Sequence, residues 1–222
     1  MRKKIIDYNE EFSYGCNAEL YCDVSLESYY NFESVYNKLI EYTSMDFDHI
    51  KMLDELNKHY INCIVYSQMC IESILNYYIL LYIDKKTSEE IFDKLNIKQK
   101  LTFISEVLYD KKINKGTLLF DSIGFVMKDR NKFVHNKTSY MKYKDETEYT
   151  ISDFKKDIML DYKNIKKSIR AIIETATFLE DDMEENYMLE MLFICEAGKL
   201  EEQKFREKAV KDFKIKMSID KF

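Results

Sequence analysis

The sequence predicts an all-α chain, and three observations carry that prediction. The 222 residues include no proline and only four glycines, Gly15, Gly116, Gly124 and Gly198, so the residues that punctuate all-β folds are nearly absent. Lysine, glutamate, isoleucine, leucine and asparagine abound instead. Apolar residues recur at helical spacing over long stretches, most clearly from Phe154 to Leu179. A chain that is 46% hydrophobic is long enough to bury a substantial core as one domain.

Residues 1–30 are mixed and tyrosine-rich, and no element is assigned to them. A short helix is expected from about Phe32 to Tyr42 and a long one from about Asp48 to Ile83. The second half of the long helix, YINCIVYSQMCIESILNYYILLYI, carries Glu72 as its one formal charge. Its length would reach across a bilayer. Asn62, Ser67, Gln68, Ser73 and Asn76 argue against insertion, as does the carboxylate, which costs about 3 kcal/mol at the centre of a membrane helix. At 100° per residue, Tyr60, Ile64, Ile71, Ile74, Leu75, Tyr78, Leu81 and Tyr82 form one stripe, and Val65, Tyr66, Met69 and Leu80 cover much of the opposite side. A helix apolar nearly all round is surrounded by protein, so this is the expected central helix of a bundle, or one of its faces meets a partner subunit. Glu72 lies off the stripe and reads either as a paired, half-exposed carboxylate or as a supporting site group.

A polar turn at Asp84–Ser88 ends that helix. Ser88, followed by two glutamates, is the expected cap of the next stretch, which continues through Lys98 to Leu108 with a kink near Asn96. A further helix spans Thr117 to about His135. After a loop rich in lysine, threonine and tyrosine, Ser152 is the expected cap of an amphipathic helix whose stripe is Phe154, Ile158, Tyr162, Ile165, Ile169, Ile172, Ile173, Ala176 and Leu179. The acids Glu180, Asp181, Asp182, Glu184 and Glu185 should end it or form a solvated face, and residues 186–214 read as one or two more helices. With no repeat and no linker, residues 1–222 read as one domain: a 46–183 core, a 1–45 N-terminal extension and a 184–222 C-terminal helical appendage.

The five cysteines, Cys16, Cys22, Cys63, Cys70 and Cys195, form no C-x-x-C pair and are odd in number. That pattern points to a reduced, cytoplasmic protein. The N-terminal MRKKIIDYNEEF turns acidic with no apolar run of useful length, so no secretory signal is visible. The formal net charge is −6. Residues 110–144 run the other way, with nine Lys or Arg against three Asp, a net +6, leaving −12 for the rest. Such an island is either a solvated lysine-rich stretch or a seat for an anion, phosphodiester being the commonest.

At its centre stands RNKFVH, residues 130–135. With Phe120, Ile123, Met127 and Val134 taken as the inward stripe of the helix, Asn131 falls within it and Arg130 and His135 to either side, while Asp129, Lys132 and Phe133 point elsewhere. Polar groups on an inward arc need partners or a cleft, because an unpaired buried guanidinium is very costly. The blander reading is a helix-end Arg and His bonding carbonyls.

An apolar helix with a mid-helix glutamate (Ile71-Glu72-Ser73-Ile74-Leu75-Asn76), a Leu-x-x-Lys-like stretch (Leu95-Asn96-Ile97-Lys98) and then Arg130-Asn131-Lys132-Phe133-Val134-His135 resembles the HEPN superfamily. The resemblance covers about residues 50–180. It implies an up-and-down bundle of four or five core helices, extended here at both ends, that forms a homodimer with two copies of the motif in a shared cleft. Many members are metal-independent endoribonucleases of toxin–antitoxin and antiviral defence systems, and others are inactive binding modules. Arg130 and His135 would be the catalytic pair with Asn131 in support. Some relatives carry a tyrosine two residues after the histidine; this chain has Lys137 there.

The residue types fit that chemistry on their own terms. Cleavage of RNA by its 2′-hydroxyl needs a base, an acid and positive charge for the phosphorane. Imidazole titrates in the right range, and guanidinium presents a donor fork to two phosphate oxygens. Lys128, Lys132, Lys137 and Lys142 are the candidate substrate-binding cations. No HExxH and no Asp/Glu–His cluster suggests a metal site, and no cofactor is expected. The remaining alternatives are an inactive module of the same fold binding nucleotide, RNA or a cognate antitoxin-like protein, and a purely structural helical protein.

Overall fold

Eight α-helices and no strand occur among the described residues of the computed structural model, which are 17–41, 47–134, 151–183, 188–193 and 200–215. In chain order they are α1 Ala18–Glu41, α2 Phe47–Leu80, α3 Lys85–Ile91, α4 Ile97–Phe103, α5 Leu118–Val134, α6 Ile151–Met183, α7 Met188–Phe193 and α8 Leu200–Asp212. The all-α expectation therefore holds.

Long-range contacts fix the directions of the four principal helices. Phe32 of α1 meets Tyr60 of α2, and Tyr21 meets Tyr66, so these two run antiparallel. Tyr60 bonds Asp129 near the end of α5, whereas the start of α5 lies by α4, where Lys98 covers the Phe120 ring. Lys167 of α6 sits over Phe125 of α5, and Ser168 of α6 reaches Cys63 of α2. Helices α1, α2, α5 and α6 thus form an up-and-down bundle.

The long helix behaves as its sequence predicts on one side. Tyr60, Ile64, Ile71, Ile74, Leu75, Tyr78, Leu81 and Tyr82 are all buried. The opposite side is not enclosed: Val65, Tyr66 and Leu80 are half-buried and Met69 is exposed. Neither this helix nor any other among the described residues is long and apolar enough to cross a membrane.

Helix α1 occupies one of the four principal places and buries Cys22, Leu26, Tyr29, Phe32 and Leu39. Its serines explain why the segment read as mixed: Ser25 shares a 2.6 Å hydrogen bond with Ser67 and donates to the Cys63 carbonyl at 3.2 Å. Cys63 in turn contacts the Ser168 hydroxyl at 3.3 Å. This buried chain satisfies polar groups that would otherwise be costly, and burial pushes the Cys63 thiol up to about 11.

Helix α8 is held to α1 by Arg206, which is 0% exposed. Its Nε and Nη2 donate to the two Asp23 oxygens at 2.5 Å each, and Nη2 also to Glu19 at 2.9 Å. Burial alone would favour the neutral form, but the carboxylates outweigh it and keep the group charged. Around this clasp, Tyr30 stacks on Phe205 and Lys208 pairs with Glu33.

Three local expectations shift. Asp84, not Ser88, caps α3, accepting from the Thr87 N–H, and Ser88 is buried inside the helix. The kink near Asn96 is a full break, where Asn96 and Gln99 form a reciprocal capping box that opens α4. Helix α6 runs through Glu180 to Met183, and Glu180 is buried rather than solvated, accepting from the Leu189 N–H at the start of α7.

Candidate functional site

Helix α5 carries the RNKFVH segment as far as Val134. It buries Leu119, Phe120, Ser122, Ile123, Val126 and Asp129, residues spaced three and four apart that face α2 and α6 together. This is not the stripe expected from hydropathy. Asp129, expected to point away, is 4% exposed. Phe133 packs against the core with its ring edge-on to Tyr60. Asn131, expected to face inward, is exposed. The physical reason is that α5 packs between two helices, so its buried arc centres on Val126 and Asp129 rather than on Met127 and Val134.

Asp129 tolerates burial because both its oxygens are engaged. The Tyr60 hydroxyl donates to Oδ2 at 2.7 Å and the Lys132 ammonium to Oδ1 at 2.5 Å. Burial first, and then the hydrogen bond to Asp129 and that group's charge, push the Tyr60 phenol far above its ordinary range. On α6 lies Asp161, whose carboxyl is pushed up to about 6 by burial and by the neighbouring Asp157 and Asp129 charges, against the opposing pull of Lys132. This end of α5 is therefore acidic on its inner side, and Lys132, a candidate substrate cation, is committed to Asp129.

Arg130 is half-buried. Its Nη1 donates to the Asn131 Oδ1 at 3.3 Å, and among the described residues no carboxylate pairs with it. Lys128 is exposed on the same helix. His135, Lys137 and Lys142 lie outside the described residues. The sequence arrangement of guanidinium, carboxamide and imidazole is thus represented here by its first two members, with the carboxamide turned to the guanidinium.

Glu72 takes the paired reading. Lys100 of α4, 1% exposed, donates to Glu72 Oε1 at 2.9 Å and to Asn76 Oδ1 at 2.8 Å. Glu72 is 37% exposed at its side chain, so one oxygen anchors a buried ammonium while the group stays partly hydrated. His59 lies 3.8 Å from Glu55 on its own helix. Among the described residues no group of three or more His, Cys, Asp or Glu is placed to hold a metal ion.

Sequence reasoning missed Tyr60, Asp129 and Asp161 as one polar group, and Lys100 as the partner of Glu72 and Asn76. A signal for Asp129 was present: it stands three residues after Val126 and seven after Ser122, in phase with the buried arc. Asp157 and Asp161, four apart, likewise flank the Ile158 and Tyr162 stripe of α6. No protein-family model, curated protein or solved structure matches the chain.

Proposed function

We propose that this chain is a metal-independent endoribonuclease of HEPN type, a cytoplasmic homodimer acting as a toxin or antiviral effector on RNA, with a cognate antitoxin or defence partner. The observation that carries the reading is the Arg130 guanidinium, which no described carboxylate neutralises and which the adjacent Asn131 carboxamide holds near the surface of α5. A half-buried cation left unpaired by acids is a seat for an anion supplied from outside. His135, five residues on, is the group that would move protons during attack of the 2′-hydroxyl. The Asn131 carboxamide accepts from the guanidinium, so its role in this reading is to orient Arg130.

Two positions leave the assignment of the site. Glu72 is tied to Lys100 and holds α2 to α4, and Lys132 is tied to Asp129. Lys128 stays as an exposed cation available to a phosphate strand. The second reading is an inactive module of the same fold that binds RNA, nucleotide or a protein. It is favoured by the acidic inner side at Asp129 and Asp161, which lies against the same helix end as Arg130.

Incubating purified protein with labelled single-stranded RNA in EDTA separates the two. The enzyme reading expects cleavage that persists on chelation and leaves 2′,3′-cyclic phosphate ends. Absence of cleavage, with RNA still bound, sinks it in favour of the binding module. Light scattering tests the dimer at micromolar concentration, and a monomer there overturns the shared cleft.

A further inference from the structure

The geometry points to a second phosphate seat on α5, formed by the Lys98 ammonium in the notch left by Gly124, that holds the backbone of a single nucleic-acid strand next to Arg130. Lys98, on α4, is half-buried. Its Nζ lies over the Phe120 ring at 5.4 Å from the centroid. A Cβ placed on Gly124 would stand 2.6 Å from that Nζ and 3.3 Å from Cε. The ammonium can occupy this position because residue 124 has no side chain.

An ammonium partly stripped of water usually finds a carboxylate. Lys100, two residues away, does so with Glu72. Lys98 has no such partner among the described residues, and only the Phe120 face offsets its lost hydration. The charge is therefore presented rather than consumed. Phe120, Gly124 and Asn131 share one helical face, with exposed Lys128 beside them. Asn131 draws the Arg130 guanidinium toward that same face. Gly124 and Arg130 are six residues apart, about 9 Å along the helix axis and about 120° around it, so the guanidinium reaches this face only by its bond to Asn131. Lys98, Lys128 and Arg130 thus make a short cationic track on which neighbouring phosphates of one extended strand can sit.

This inference rests on the reading of Arg130 as a phosphate ligand, and its test is chosen to fail separately. The probe is a fluorescein-labelled oligothymidylate, which has phosphates but no 2′-hydroxyl and is not cleaved by the proposed chemistry. Lys98→Gln removes the charge. Gly124→Ala keeps every charge and displaces the ammonium, at little cost to the fold because the obstructing atoms are the far end of a flexible side chain and alanine favours a helix interior. Both variants should weaken binding by about fivefold or more and lower the slope of log affinity against log salt by about 1, while Lys98→Arg retains most of the affinity.

Wild-type affinity and salt slope in either Lys98→Gln or Gly124→Ala overturn the seat and leave Lys98 as a side chain covering Phe120. No binding of the oligonucleotide by the wild-type protein overturns it too. If RNA cleavage still depends on His135 in that case, the enzyme reading stands without the seat. Binding that depends on Lys98 and Gly124 in a protein that cleaves nothing leaves the seat standing and removes the enzyme.

Discussion

The Tyr60 hydroxyl and the Asp129 carboxylate, 69 residues apart in sequence, meet at 2.7 Å in the interior. This bond joins α2 to the last turn and a half of α5, and so sets where Arg130 emerges. Removing the hydroxyl in Tyr60→Phe leaves a buried carboxylate oxygen short of a donor, which should cost about 1–3 kcal/mol in urea unfolding. A double-mutant cycle with Asp129→Ala should give a coupling energy of about 0.5 kcal/mol or more. Additive effects would show that the two groups do not communicate.

Asp161 gives the fold a pH dependence with a definite sign. Its folded carboxyl titrates at about 6, against about 3.9 in an unfolded chain. Between those values the native state holds more protons than the unfolded one, so this group's contribution falls as pH rises through about 6. Asp161→Asn removes the penalty. The variant should be more stable than the wild type at about pH 8 by on the order of 1 kcal/mol, a figure reduced for partial exposure, with the gap closing near pH 4. An equal gap at both pH values refutes the assignment.

Glu72→Ala should act on stability before it acts on any activity. It strands the Lys100 ammonium, leaving Asn76 as its remaining described partner, and the loss should approach about 3 kcal/mol. Lys100→Met, which replaces the buried cation by an apolar chain of similar length, should be milder. Thermal unfolding of both variants checks the order, and a more damaging Lys100→Met would reverse the account.

His135→Ala should lower RNA cleavage by about a hundredfold or more while oligonucleotide affinity stays near that of the wild type. Arg130→Ala should reduce both, since the guanidinium serves bound and transition states alike. Single-turnover cleavage beside circular dichroism separates chemistry from folding. A His135→Ala protein that cleaves at the wild-type rate ends the catalytic reading of the hexapeptide.

What was legible in the sequence was local. The stripe from Tyr60 to Tyr82 is buried at every position named, six of them on α2 and Leu81 and Tyr82 in the turn after it, because apolar side chains at one phase leave the helix one orientation. The break at Asn96 was read only as a kink, although Asn and Gln three apart cap a helix without help from elsewhere. The face of α5 was not legible. Hydropathy places Asp129 outside, and only Tyr60, contributed by another helix, makes its burial tolerable. Only the end of α1, from Phe32, was read as helix, and its first half was hidden for the same reason: Ser25 reads as a surface residue until Ser67 is brought to 2.6 Å. The site followed suit, with Arg130 and Asn131 found as a bonded pair but on a different arc from the one hydropathy drew.

The Arg206 clasp has a consequence for how the chain emerges from the ribosome. Its carboxylate partner Asp23 is made 183 residues before it. At about 5–20 residues per second, that separation is roughly 10–40 s of translation. Throughout this interval Asp23 and Glu19 keep their water, and the rings of Tyr29 and Tyr30 lack the Phe213 and Phe205 that later cover them. Helices α1, α2 and α5 are made well within that time, but α6 is finished only about 1–5 s before Arg206 is added, and one flank of α1 stays open until translation has passed α8. The nascent chain therefore carries an aromatic flank with an acidic border, a surface to which a chaperone has access before the guanidinium closes it.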